Sequence, residues 1–188
     1  MHRDRHRLLI AEDDPAVTED FMSAFGADGP EEGTDRAILE KMESGLFGRR
    51  PFEPRAGTFD LTLCRQGQRA VAAHAEALDA GEPFDLALID MRMPPGMNGF
   101  ETAALLRGAD TQIQIGIVTG YSDWDFRQIA KRIPTGAGLF FVRKPFIGSE
   151  LRDCVAARLG VPVSRPRWHD WQTPATMQKV RGAQRNEP

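Results

Sequence analysis

Short apolar runs alternate along this chain with longer stretches whose apolar positions recur at helical spacing. The runs near 7–11, 59–64, 84–89, 113–118 and 138–142 predict five β-strands. Those at 84–89 and 113–118 are almost continuously apolar, the pattern of strands covered by helices on both faces of a parallel sheet. Helices are predicted over 15–25, 68–79, 98–108, 123–133 and 149–159. Pro15 suits a first helical turn. Val71, Ala72, Ala75 and Leu78 share one face of the second helix, its predicted buried side, and Phe100, Ala103, Ala104 and Leu106 are the apolar positions of the third. Gly108 and Pro134 read as stops, Ser149 as an N-cap and Gly160 as the last C-terminal stop. Five βα units with right-handed crossovers make an α/β domain with a doubly wound five-stranded parallel sheet.

Two segments break the alternation. Residues 27–57 are far longer than the usual connection of about 2–6 residues. They predict an insertion with a short helix over 34–46, its apolar stripe being Ile38, Leu39, Met42 and Leu46. The insertion either packs locally over the sheet edge or offers a surface to a partner. Residues 161–188 hold Arg165, Arg167, Lys179, Arg181 and Arg185 against Asp170 and Glu187, together with Trp168 and Trp171. They read as a solvated basic linker or frayed tail, the alternative being that the tryptophans dock on the domain or on a partner. The expected division is one domain over 1–160, interrupted at 27–57, and a tail over 161–188.

Composition narrows the class. A chain of 188 residues can bury a real core, and a net charge of −3 gives no broad attraction for nucleic acid. Cys64 and Cys154 lack metal-ligand spacing and read as buried free thiols of a reducing compartment, a disulfide or redox role being the alternative. No apolar run approaches the roughly 20 residues of a membrane span, and the apolar run after the charged N-terminus is too short for a signal peptide. A cytoplasmic protein is expected.

The chemistry lies where strands end. Leu8-Leu9-Ile10-Ala11 runs into Glu12-Asp13-Asp14, and Phe84 to Ile89 runs into Asp90. Ile113 to Val118 runs into Thr119, and Leu139 to Val142 into Arg143-Lys144-Pro145. Carboxyl ends of parallel strands line the ligand crevice of such folds. Gathering Glu12, Asp13 and Asp90 there creates a repulsion, and the three cannot all stay ionised cheaply unless a cation joins them. Hard oxygen ligands with open positions suit Mg²⁺. Asp90 can then attack phosphorus as a carboxylate nucleophile, with Lys144 and the Thr119 hydroxyl on the phosphoryl oxygens. Singly, each residue has a plain structural reading: a helix-capping acidic turn, a surface lysine, a strand-end threonine. The ordered set carries the weight.

Those residues resemble the receiver domain of two-component response regulators. The matching pieces are Leu9-Ile10-Ala11-Glu12-Asp13-Asp14-Pro15, Ala87-Leu88-Ile89-Asp90-Met91-Arg92-Met93-Pro94, Asn98-Gly99, Ile117-Val118-Thr119-Gly120 and Phe141-Val142-Arg143-Lys144-Pro145-Phe146. The resemblance implies a flavodoxin-like sheet of order 2-1-3-4-5. It implies a phospho-accepting switch, with self-directed chemistry only. Asp90 would take a phosphoryl group from a histidine kinase or histidine phosphotransfer protein. Glu12, Asp13, Asp90 and the Arg92 backbone carbonyl would hold Mg²⁺, and Thr119 and Lys144 would bind the phosphoryl oxygens. Phe141 would couple Thr119 to the surface around the helix at 123–133 and the fifth strand. A weaker likeness points to receivers attached to bacterial hybrid sensor kinases.

Departures from the pattern have consequences. The loop between Pro94 and Gly99 is one residue longer than usual, Asn98 replaces the commoner Asp, and Phe141 lacks a hydroxyl. Arg92 and Tyr121, two residues beyond Asp90 and Thr119, are bulky enough to shield an acyl phosphate and predict slow self-dephosphorylation. A phosphatase of the haloacid dehalogenase type would need a second Asp at position 92, where Arg stands. The alternative is a pseudo-receiver, a phosphorylation-independent interaction module. Self-association would use the insertion or the face around 123–133. Tail-mediated nucleic-acid binding is the least supported reading.

Overall fold

The computed structural model describes residues 5–26, 58–120, 132–134 and 136–162. In them the predicted strands β1 (His6–Ala11), β2 (Phe59–Cys64), β3 (Leu86–Asp90), β4 (Gln114–Thr119) and β5 (Leu139–Arg143) form one sheet. The order is β2-β1-β3-β4-β5 with every pair parallel. Helices α1 (Pro15–Phe25), α2 (Gly67–Asp79), α3 (Gly99–Ala109) and α4 (Gly148–Arg158) cover it.

Strand alternation sends successive side chains to opposite faces, and two cores result. Leu9, Ala11, Ala87, Ile89, Ile115, Ile117 and Phe141 pack on the side of α2 and α3. Leu8, Ile10, Leu86, Leu88, Phe140 and Val142 pack on the side of α1 and α4. Gly116 leaves room for this second layer, because a Cβ there would collide with the Phe140 ring and the Leu88 side chain.

Helix ends obey local chemistry. Asp14 caps α1 by accepting from the Ala16 N–H at 2.9 Å, and Pro15 takes the first helical position. Asn98 and Glu101 form a reciprocal capping box on α3. At the end of α4 the Val161 N–H reaches the Ala156 carbonyl and the Gly160 N–H the Ala157 carbonyl, around Gly160 at φ 75°. Gly81, at φ 72°, ends α2 in the same way.

Several expectations need correction. β3 starts at Leu86, two residues after Phe84, and continues through Asp90, while β4 and β5 each start one residue late. Gly108 lies inside α3, whose cap is Asp110. Ser149 lies in the first turn of α4; Ile147 holds the N-cap position without a side-chain bond. The buried stripe of α2 is Gly67, Ala70, His74 and Ala77, and Ala75 faces water. His74 replaces an apolar residue in that stripe, its ring stacked on Phe84 at 6.3 Å, and Ala70 and Ala77 let α2 settle closely on the sheet. Cys64 and Cys154 are free, as expected, but only Cys154 is buried and Cys64 is half-buried. The insertion at 27–57 with its predicted helix over 34–46, Tyr121, nearly all of the helix expected over 123–133, and the tail beyond Val161 and Pro162 lie outside the described residues.

Candidate functional site

The sheet order brings the ends of β1, β3, β4 and β5 to one edge, and the site is built there. β1 stops at Ala11 and the chain crosses the edge as Glu12 and Asp13 before Asp14 starts α1. The acidic turn is therefore divided: Asp14 serves the helix, while Glu12 and Asp13 serve the crevice. Asp90 is the last residue of β3, next to Ile89, which pairs with Ala11 of β1, and is itself paired with Val118 of β4. Carboxylate oxygens of Glu12, Asp13 and Asp90 lie within 4.8 Å of one another.

Lys144 comes directly after β5 and reaches back over these acids. Its Nζ is 2.6 Å from Glu12 Oε2 and 2.6 Å from Asp90 Oδ1. Glu12 is almost fully buried, at 1% side-chain exposure, and Lys144 retains 21%. Burial pushes the Glu12 carboxyl above the usual carboxylate range; the Lys144 hydrogen bond opposes this and the Asp90 charge adds to it. Burial alone would lower the Lys144 ammonium, but hydrogen bonds and charges from Asp90 and Glu12 outweigh it and hold the group above its ordinary value. A cation already lies between two of the three carboxylates.

The backbone fixes Asp90 further. Its Oδ2 accepts from the Arg92 N–H at 2.6 Å, the Met91 N–H donates to the Val118 carbonyl at 3.0 Å, and the Gly99 N–H to the Met91 carbonyl at 3.1 Å. Gly99 is pressed against the Asp90 carbonyl so closely that a Cβ would collide with it. Sequence reasoning misses this closing contact; the pair Asn98-Gly99 signals a helix start, and only the fold shows what the glycine touches.

Thr119 ends β4, is buried, and its carbonyl accepts from the Lys144 N–H at 2.9 Å. Phe141 is buried opposite Ile117 in the β4–β5 register. Thr119 lies two residues beyond Ile117, so Thr119 and Phe141 project to the same face of the sheet. The fold thus gathers Glu12, Asp13, Asp90, Thr119 and Lys144 at one edge, with Phe141 one layer down. Arg92 is exposed beside them. Oxygen-only donors in a tight acidic group fit a hard divalent cation such as Mg²⁺.

The family model described as the response regulator receiver domain matches residues 51–156. Glu12 and Asp13 precede that interval, and the pairing of β1 with β3 brings them to it. Sporulation initiation phosphotransferase F of Bacillus subtilis is 39% identical over 82 residues, 43% of this chain and 63% of that protein. Response regulator protein PilR of Pseudomonas aeruginosa is 36% identical over 86 residues, 45% of this chain and 18% of that protein. The chain therefore spans less than two thirds of either relative. Among solved structures, a CheY-like receiver domain protein from Methanospirillum hungatei superposes with a TM-score of 0.56 at 18% identity, over 83% of this chain and 94% of that one. The phosphorylated cyanobacterial phytochrome response regulator RcpA gives 0.54 at 14% identity, over 86% and 99%. Both likenesses concern the fold. No described helix is long and apolar enough to cross a membrane.

Proposed function

Because the chain belongs to the response regulator receiver family, we propose that it is a phospho-accepting switch in which Asp90 takes a phosphoryl group from a phosphohistidine. The observation that carries this reading is the pairing of one ammonium, Lys144, with two converging carboxylates at the carboxyl edge of the sheet. The donor is a histidine kinase or a histidine phosphotransfer protein, and the compartment is the cytoplasm, where the free thiols Cys64 and Cys154 fit.

An Asp90 carboxylate oxygen attacks phosphorus. A P–O bond forms, the P–N bond to the imidazole breaks, and the imidazole leaves with that electron pair. Arg92 N–H holds Oδ2 and orients the carboxylate for attack. The Lys144 ammonium, on its flexible stem, tracks the phosphoryl oxygens as a point charge, and the Thr119 hydroxyl donates to one of them. Mg²⁺, held by Glu12, Asp13, Asp90 and the Arg92 carbonyl, would neutralise the phosphoryl charge. Movement of Thr119 toward the phosphoryl group vacates space on the face it shares with Phe141, and repacking of that ring carries the change to the outer surface of β5. Shielding by Arg92 makes the acyl phosphate long-lived.

The test is incubation with acetyl phosphate or phosphoramidate, with and without Mg²⁺, and then intact mass. One phosphoryl group that requires Mg²⁺ is expected. No addition under either condition would favour the pseudo-receiver.

A further inference from the structure

Gln66 stands at the N-cap position of α2, where a short oxygen-bearing side chain ordinarily accepts from the first free N–H groups of a helix. It makes no such bond. Its Nε2 donates instead to the Pro94 carbonyl at 3.1 Å. Pro94 lies in the turn Met93–Gly96, which the Gly96 N–H closes onto the Met93 carbonyl at 3.2 Å. The contact is broader than one bond. Gly96 faces the side-chain amides of both Gln66 and Gln68, and a Cβ at 96 would run into them. The Met97 carbonyl and Cβ lie against Gly67, the first residue of α2. The start of α2 thus lies along segment 94–97.

That segment belongs to the loop that holds Asp90. Gly99 closes the loop at its base against Asp90 and Met91, and the Arg92 N–H grips Asp90 Oδ2. Arg92 immediately precedes the turn that Gln66 touches. A shift of the turn therefore shifts both the peptide that orients Asp90 and the carbonyl proposed as a metal ligand. The geometry points to a clamp, resting on the receiver reading of the site: Gln66, backed by Gln68, is a positioning residue that holds loop 91–98 in the form that binds Mg²⁺ and presents Asp90. Neither glutamine touches the reacting atoms.

Two variants open the clamp from opposite sides. Gln66→Ser removes the donor and supplies a helix cap that offsets the lost bond, so thermal stability without metal stays at or above that of the wild type while Mg²⁺ affinity falls by about two- to tenfold, the range of one hydrogen bond. Gly96 does not have positive φ, so Gly96→Ala is tolerated by the backbone and displaces the glutamines, with a similar loss. The double variant loses no more than either single, because both changes remove one contact. Calorimetric titration with MgCl₂ on the four proteins, with thermal unfolding of the same samples, reads all three. Affinity lost without a loss of stability in Gln66→Ser, with non-additive losses, supports the clamp. Unchanged affinity, additive losses, or a loss that merely tracks a falling melting temperature overturns it. A wild-type protein that binds no Mg²⁺ overturns the site reading and the clamp with it.

Discussion

Lys144 is the residue whose removal tests the electrostatics of the site most sharply. Its ammonium lies 2.6 Å from Glu12 and 2.6 Å from Asp90, whose side chains are 1% and 8% exposed. At an effective dielectric of about 20, opposite unit charges about 4 Å apart attract by roughly 4 kcal/mol, before desolvation offsets much of it. Removing one partner of a buried pair costs about 3–5 kcal/mol. The 21% exposure of Lys144 screens the pair, and Glu12, already pushed up by burial, can take a proton. Lys144→Met should therefore lose about 2–3 kcal/mol without metal, from a total of order 5–15 kcal/mol. The variant stays folded but leaves its carboxylates uncompensated. Mg²⁺ should then bind it more tightly than the wild type, in which the ammonium competes; at about a hundred times the dissociation constant the gain is about 2.7 kcal/mol. Urea unfolding monitored by circular dichroism, with and without MgCl₂, measures both effects. A variant as stable as wild type without metal, or one with an equal Mg²⁺ increment, would refute the reasoning.

Arg107 is buried in α3 and donates from Nη2 to the carbonyls of Ile113 at 2.9 Å and Gly138 at 3.2 Å, so Arg107→Met should cost roughly 2–4 kcal/mol; a urea midpoint unchanged from wild type would contradict this. Burial lowers the His74 pKa, with the Asp110 charge opposing, while the Leu106 carbonyl favours the charged ring without reaching hydrogen-bond geometry. Its folded pKa is depressed, so its stabilisation is present above about pH 6.5 and is lost as pH falls below that; His74→Leu should flatten the acid limb of a stability–pH curve, and an equally steep limb would tell against it. Gly99→Ala drives a Cβ into the Asp90 backbone and should cost about 1–3 kcal/mol, with slower phosphorylation of Asp90; unaltered kinetics would show that the close contact does not position the acid.

Abrupt changes of residue type along the chain make the strands and the candidate site legible in the sequence. Four of the five strand ends switch from apolar residues to Glu12, Asp90, Thr119 or Lys144, and a parallel sheet carries all such ends to one edge. The pieces that escape depend on which side chains pack against which. A stripe through Val71, Ala72, Ala75 and Leu78 looks like the buried face of α2 because His74 counts as polar, yet the ring fits under Phe84. Arg107 carries no signal in the sequence, because the two backbone carbonyls it serves, ahead of β4 and ahead of β5, meet it only in the fold. Gly108 reads as a stop, but the Asp110 N–H still reaches the Leu106 carbonyl and carries α3 past it. Gln66 carries no signal until the helix start is known, when its unused cap position becomes visible.

The central claim is that Asp90 is the phosphoacceptor. The most direct measurement is to phosphorylate the protein with acetyl phosphate and Mg²⁺, reduce the acyl phosphate with borohydride, and locate the converted residue by peptide mass spectrometry, with Asp90→Asn alongside. Conversion confined to Asp90 and absent from Asp90→Asn is the predicted result. Conversion at another carboxylate, or equal phosphorylation of Asp90→Asn, would contradict the account.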